Sequence, residues 1–303
     1  MKDEPIRIAL VAPVHNRREI TLQCLRSLER VDKRGLDVHA IIVDDGSDDG
    51  TSDAIHANFP NVEVVQGDGN LWFTEGTNVG IRAAKKFDPE YLLLINDDQI
   101  FDEHFLQFLV FTARANPRSV VGPLLLLWDE PHKVFQVDPR WETLSGGWRH
   151  WYRQTIRTVP DRTWHVEAIV GNCVLVPATA IAENGPMNSK RYPNFGDAEF
   201  TPRLRKNGWQ LLIDPRSKVF VQPNNAADSI AKMSLSNKIK TVFFDIKKPQ
   251  SVRRRFYALW DTAPSKMEAL LAFIIFFIRY AAGRNMEGRW ALQQAEAEIK
   301  DLR

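Results

Sequence analysis

The 303-residue chain is 44% apolar and 26% charged, with a formal net charge of +2. This composition excludes a disordered or collagen-like chain. The near balance of charge gives no electrostatic case for nucleic acid, so no nucleic-acid partner is expected. A chain of this length can bury a core without disulfide or metal staples. Cys24 and Cys173, far apart in apolar stretches, therefore read as reduced packing residues. The N-terminus carries mixed charge directly ahead of an apolar strand. It lacks a charged n-region, a long apolar core and a small-residue cleavage site, which predicts a cytoplasmic protein.

In chain order, residues 6–12 read as a buried strand and residues 20–28 as an amphipathic helix with apolar Ile20, Leu22, Cys24, Leu25 and Leu28. A second strand over 38–43 runs into Asp44-Asp45-Gly46-Ser47-Asp48-Asp49-Gly50-Thr51. A short helix to Asn58 follows, then a strand over 62–65, a Gly-rich loop and a helix from about Thr77 to Lys86. The strand over 91–95 stops at Asn96-Asp97-Asp98-Gln99. Strands separated by ten-residue helical patterns predict an α/β fold with a mostly parallel central sheet flanked by helices. Ligands of such sheets sit beyond the carboxyl ends of the strands, where both Asp pairs fall.

Residues 128–162 read as irregular and aromatic. Residues 171–176 read as a further buried strand. Thr201-Pro202 reads as the cap and first residue of a helix ending near Gly208, which leaves Asp197 and Glu199 on the loop before it. The tail differs in composition. Between Lys232 and Arg289 there are 12 Lys/Arg against 4 Asp/Glu, a net of +8, mixed with Phe243-Phe244, Arg253-Arg254-Arg255 and an apolar run of ten residues over 269–278. That run is too short to cross a bilayer by itself, which takes about 20 residues. A basic, aromatic tail of this kind suits peripheral attachment to an anionic membrane surface through residues 232–289.

Three acidic sites carry the chemistry. Clustered carboxylates beyond a strand suit a hard divalent cation that also holds phosphate oxygens. A separate carboxylate can then act as a general base. Asp48-Asp49-Gly50 reads instead as an ordinary turn. Two other readings of the acidic loops fail. The first strand is followed by Pro13-Val14-His15-Asn16-Arg17 and not by a Gly-x-Gly-x-x-Gly turn. A calcium loop opening at Asp45 would need Glu where His56 stands.

Taken together, Pro13-Val14-His15-Asn16-Arg17, Val43-Asp44-Asp45-Gly46-Ser47, Asn78-x-Gly80, Asn96-Asp97-Asp98 and Asp197-Ala198-Glu199 resemble family 2 glycosyltransferases of GT-A type, over about residues 6–222. The stretch Gly69-Asn70-Leu71-Trp72-Phe73 is similar to the rhamnosyltransferase and galactofuranosyltransferase-like branch. The resemblance implies a GT-A catalytic domain over 1–225, with a nucleotide-sugar-binding half over 1–125 and an acceptor-binding half over 126–225. A basic amphipathic helical tail would occupy 226–303.

The resemblance also implies roles. Pro13, His15, Arg17, Asp45, Asn78 and Asp97 would bind a UDP- or dTDP-sugar, with Asp45 on the base. Asp98 would ligate Mn²⁺ or Mg²⁺, with Gln222 as a further ligand where many relatives carry His. Asp197, with Glu199 as second choice, would be the base of an inverting transfer. Apart from the resemblance, the aromatic rings of Trp72, Trp148 and Trp151 suit contact with the acceptor, expected to be a cell-surface glycan or lipid-linked hydroxyl. A degenerate nucleotide-sugar-binding protein and a sugar-phosphate nucleotidyltransferase are the rival readings.

Overall fold

A computed structural model describes residues 4–149, 154–169, 171, 173–222, 234, 237, 240–248 and 251–281. The chain divides into two compact units, one made by residues 1–140 and 150–223, the other by 141–149 and 224–303.

The elements run in the order β1 (Ile6–Val14), α1 (Arg18–Glu29), β2 (Leu36–Asp44), α2 (Thr51–Asn58), β3 (Glu63–Gln66), α3 (Trp72–Ala84), β4 (Tyr91–Ile95), β5 (Gln99–Phe101), α4 (Phe105–Ala115), β6 (Ser119–Leu127) and β7 (Val134–Gln136). After these come β8 (Arg140–Glu142), β9 (Gly147–Arg149), β10 (Trp164–His165), β11 (Cys173–Pro177), α5 (Ala178–Asn184), α6 (Asp197–Lys206), β12 (Gln210–Val221), α7 (Val252–Thr262) and α8 (Lys266–Ala281).

The first unit holds a ten-stranded sheet whose main path is β10-β12-β6-β11-β4-β1-β2-β3. Strands β3, β2, β1 and β4 pair in parallel, as do β6 and β12, while β11 runs antiparallel between the two blocks. Alternation along β1 explains the layers. Ile8, Leu10 and Ala12 face a cluster with Leu22, Cys24, Leu25 and Leu28 of α1 and Phe105, Leu106 and Leu109 of α4. Ala9 and Val11 face the other side, with Ile81 and Ala84 of α3 and Phe200 and Leu204 of α6. Both faces are thus buried, as a parallel strand requires. Helix α3 comes close because it carries Gly80, whose added Cβ would lie 2.3 Å from Val11 Cγ1. Cys24 and Cys173 are buried free thiols within the first of these clusters, and burial pushes both thiols above their ordinary range.

The structure departs from the sequence reading in three places. Residues expected to be irregular contain β7, β8 and β9. Helix α3 begins at Trp72, five residues before the expected start. Helix α6 begins at Asp197, so Asp197 and Glu199 lie in its first turn and Pro202 lies inside it.

In the second unit, β8 and β9 form a two-stranded sheet, and α7 and α8 pack together through Phe256 against Phe273. The expected end of the last helix at Gly283 lies outside the described residues.

Candidate active site

The carboxyl edges of β1, β2 and β4 deliver Val14–Arg17, Asp44-Asp45 and Asn96–Asp98 to one place. Of these, Val14, His15, Arg17, Asp45, Asn96 and Asp97 line a cavity of about 300 Å³ together with Pro13, Gly69, Trp72, Phe73 and Asn194. The loops are tied to one another before any ligand is considered. Asp45 N–H donates to Val14 O at 2.9 Å, and His15 Nδ1–H donates to Asp45 O at 2.7 Å. Asn16 N–H donates to Ser47 Oγ, and Asp48 N–H donates to Asn16 Oδ1. Asp44 is spent on its own turn, accepting from Ser47 N–H and from the Ser52 hydroxyl. Asp49 likewise accepts from Thr51 and Arg18, the turn role expected of it.

Asp45 organises the start of α3. Its Oδ1 accepts from the N–H groups of Gly69 at 2.9 Å and Leu71 at 3.2 Å, and its Oδ2 accepts from Trp72 at 2.9 Å. Trp72 adopts φ 59°, a left-handed conformation that costs a bulky residue about 1–3 kcal/mol. The bond to Asp45 helps hold it there, with the residue 39% exposed beside the cavity.

Asp97 and Asp98 are each only 4% exposed. Arg17 bridges them, with Nη1 2.9 Å from Asp97 Oδ1 and Nη2 3.1 Å from Asp98 Oδ2. The Thr21 hydroxyl donates to Asp97 Oδ2 at 3.0 Å. Burial pushes the Asp97 carboxyl up to about 6. Arg17 opposes that shift, Asp98 adds to it and the Thr21 hydroxyl opposes it. Because the native value lies above the unfolded one, this group favours folding most below pH 4. That contribution is lost as pH rises through about 6.

The acidic helix start is positioned by α3 and the loop over 187–196. Thr74 N–H donates to Pro193 O, and Gly196 N–H donates to Thr74 Oγ1. Ser189 Oγ donates to Glu75 Oε2. Asp197 Oδ2 accepts from Gly171 N–H at 3.0 Å. A Cβ at Gly171 would fall 2.1 Å from Asp197 Cβ, so only glycine lets that N–H approach.

Four expectations need correction or placement. Asn78 is buried, and its amide is engaged with the backbone of Met187 in both directions, Nδ2 to O at 2.9 Å and N–H to Oδ1 at 3.1 Å. It braces the loop and does not line the cavity. Glu199 is buried and paired with Arg203 Nε at 2.6 Å, and that guanidinium also donates to the carbonyls of Asn184 and Pro186. It is a strut, ill placed to take a substrate proton. Trp148 lies in the second unit, where its indole N–H donates to Thr262 Oγ1 at 2.7 Å and its ring meets Trp141 edge-on. Packing within that unit accounts for it. Trp151 lies outside the described residues.

The sequence reading did not single out Thr21, Thr74 or Asn194. Asn194 stands three residues before Asp197 and lines the cavity.

The residues can be tested against a divalent cation. Among the described residues no three His, Cys, Asp or Glu side chains cluster as a metal cage. Magnesium-type ions bound with a diphosphate need only one or two protein carboxylates, however. Asp98 supplies one such carboxylate, and β12 brings the Gln222 N–H to 3.4 Å from Asp98 O. The donor set fits such an ion.

An α/β sheet with its acidic loops gathered beyond the carboxyl edge is a fold of GT-A type. The chain belongs to glycosyl transferase family 2, whose model matches residues 9–173. It is similar to the N-acetylglucosaminyl-diphospho-decaprenol L-rhamnosyltransferase of Mycobacterium tuberculosis, with 25% identity over 205 residues. That match covers 60% of this chain and 66% of the relative, just under two thirds of its length.

Two solved structures share the fold. S. aureus TarS aligns with a TM-score of 0.55 at 13% identity, over 87% of this chain and 41% of TarS. GalNAc-T7, crystallised with UDP, GalNAc and Mn²⁺, aligns with a TM-score of 0.61 at 12% identity, over 99% of this chain and 58% of that one.

Proposed function

We propose that the chain is an inverting glycosyltransferase. It moves a hexose or deoxyhexose from a UDP- or dTDP-sugar to a hydroxyl of a cell-surface glycan or lipid-linked acceptor. The observation that carries this reading is the cavity bounded by Pro13, His15, Arg17, Asp45, Trp72 and Asp97, with Asn194 leading to a carboxylate at a helix start. Its volume is at the low end of the range for small-ligand sites, about 300–1,000 Å³. Three of the roughly four acceptor sites of Asp45 are filled by backbone N–H groups, which leaves room for one donor from a pyrimidine base.

In the reaction the acceptor oxygen forms a bond to the anomeric carbon while the bond from that carbon to the diphosphate oxygen breaks. Asp197 takes the hydroxyl proton, and Trp72 offers an aromatic face to the sugar. Asp98, with Gln222 as a further oxygen donor, would hold Mn²⁺ or Mg²⁺, which when bound would supply positive charge to the diphosphate leaving group.

A thermal-shift screen of UDP-, dTDP-, GDP- and CMP-sugars, each with Mn²⁺, Mg²⁺ or EDTA, tests the reading directly. A ligand that binds only the folded state raises Tm by mass action. A metal-dependent rise with one pyrimidine diphosphate-sugar is expected. A purine preference would overturn the donor class. Binding without turnover across an acceptor panel would favour a degenerate binding protein, and pyrophosphate release from a nucleoside triphosphate plus sugar phosphate a nucleotidyltransferase.

Peripheral attachment to the inner face of the cell membrane belongs to the same proposal. Helix α8 buries Ala269 and Ala272 and packs Phe273 and Phe276 inward, yet its opposite stripe is also apolar. Met267, Leu270, Leu271, Ile274, Phe277 and Ile278 are all exposed, Met267 to 80% and Ile278 to 61%. Among the described residues no helix is long and apolar enough to cross a membrane. An amphipathic segment with basic surroundings instead lies in the interface plane. The substitutions Leu271→Glu and Ile274→Glu together, in the full chain, should lower co-sedimentation with anionic phosphatidylglycerol vesicles by at least about tenfold, since each buried apolar side chain contributes about 1.5–3 kcal/mol. Unchanged sedimentation would rule out this face.

A further inference from the structure

Arg17 is ion-paired with both Asp97 and Asp98, the second of them the carboxylate proposed to hold the metal. Its side chain is 35% exposed, while the two carboxylates it bridges are almost fully enclosed. It is the residue immediately before α1, with non-helical backbone angles (φ −138°, ψ 41°), and it lines the cavity together with Asp97. Arg17 and Asp97 line the cavity while Asp98, held by the same guanidinium, does not, and Thr21 holds Asp97 through its other oxygen. A guanidinium cannot lose its proton at accessible pH. It can stop competing for a carboxylate only by moving away. Two cations on one small pair of carboxylates repel strongly in a site shielded from water.

We propose that Arg17 is a resident counter-ion that excludes the divalent cation from Asp98 until donor is present. Metal occupancy of Asp98 and the Arg17–Asp98 pair are then alternatives. A diphosphate in the cavity offers the displaced guanidinium a second anion, so metal and nucleotide bind as a coupled pair and metal alone binds weakly. Arg17 is thus a positioning residue that sets the order of assembly. The inference rests on the reading of Asp98 as metal ligand.

The test is a Mn²⁺ titration followed by the EPR signal of free Mn²⁺, on the full chain, with and without UDP or dTDP. Without nucleotide, Arg17→Gln should bind Mn²⁺ at least about tenfold tighter than the wild type, because the competing charge is gone. Arg17→Lys keeps the charge and should stay near the wild type, which separates charge from fold. Nucleotide should tighten Mn²⁺ binding in the wild type and in Arg17→Lys, and by a much smaller factor in Arg17→Gln. Asp98→Asn should lose the site in every condition.

Equal Mn²⁺ affinity in the wild type and Arg17→Gln, with the site still lost in Asp98→Asn, would overturn the role of Arg17 and leave the metal reading intact. Undiminished Mn²⁺ binding in Asp98→Asn, or no Mn²⁺ binding by any form with nucleotide present, would overturn both. Melting curves on each variant show whether it is folded. If Arg17→Gln is not, Arg17→Met, of similar length and without charge, carries the same comparison.

Discussion

Asp197→Asn should lower turnover by about 10²–10⁴-fold, the usual contribution of a general base, while donor affinity changes little. The substitution keeps the shape of the side chain, and an amide oxygen can still accept from Gly171 N–H. The carboxylate is fixed from two sides. Gly171 orients it, and the chain entering α6 is held by the Thr74–Gly196 and Thr74–Pro193 hydrogen bonds. The residues proposed for the donor lie instead on the ends of β1, β2 and β4, so the loss should fall on kcat. Single-turnover rates with a saturating donor, set beside calorimetric donor binding, measure the two separately. Glu199→Gln is the comparison, and it should lose stability through the Arg203 strut while retaining chemistry. Near-normal turnover in Asp197→Asn, with loss in a folded Glu199→Gln, would exchange the two roles.

The strands and acidic loops of the first half are legible because their signals are local. Apolar runs end abruptly at Asp44-Asp45 and at Asn96-Asp97-Asp98, and the chain there must leave the sheet. What local rules missed is held by distant partners. The start of α3 looked like loop, since Gly67-Asp68-Gly69-Asn70 precedes it. Its anchor is Asp45, more than twenty residues earlier, which accepts the N–H of Trp72, one of the orphan donors of the first turn, and those of Gly69 and Leu71 ahead of it.

The start of α6 differs from the sequence expectation for a related reason. Thr201-Pro202 has the form of a cap and first residue, but the Thr201 hydroxyl is committed to Ile169, donating to its carbonyl and accepting from its N–H. The helix is therefore already under way when it reaches Pro202.

Strand β6 carries Gly122-Pro123, which argues against a central strand. Pro123 is tolerated because it pairs opposite Asp214, where the ladder to β12 slips between Asp214 and Lys218. Helix α3 and the loop over 187–196 meet through Asn78 and Met187, 109 residues apart, and so the motif asparagine was mistaken for a ligand contact. Arg17 lines the cavity. That it would bridge both acidic residues is a matter of side-chain reach across two loops, which spacing in sequence does not encode.

Asp45→Ala should lower the folding free energy by about 2–4 kcal/mol and weaken donor binding together. Each backbone donor left without its acceptor costs about 1–3 kcal/mol when buried, and the carboxylate serves three. Solvent reaches Gly69 and Trp72, so the full sum is not realised. Even so, the loss is a large share of the 5–15 kcal/mol that holds a typical domain. The damage should also spread into the cavity. Without the acceptor at Asp45, Trp72 has less reason to keep its left-handed backbone, and the first turn of α3 would relax away from Asp45. Asp45→Asn should fall between, because one oxygen can still accept from Gly69 and Leu71 while the amide nitrogen faces the Trp72 N–H and cannot. Urea unfolding read by Trp fluorescence, alongside calorimetric binding of UDP and dTDP, separates the two consequences. If Asp45→Asn keeps full stability yet loses nucleotide, the carboxylate acts on the base alone and the anchor is incidental. If stability falls and nucleotide affinity does not, Asp45 is a structural anchor only, and the pyrimidine contact must be sought among His15, Trp72 and Phe73.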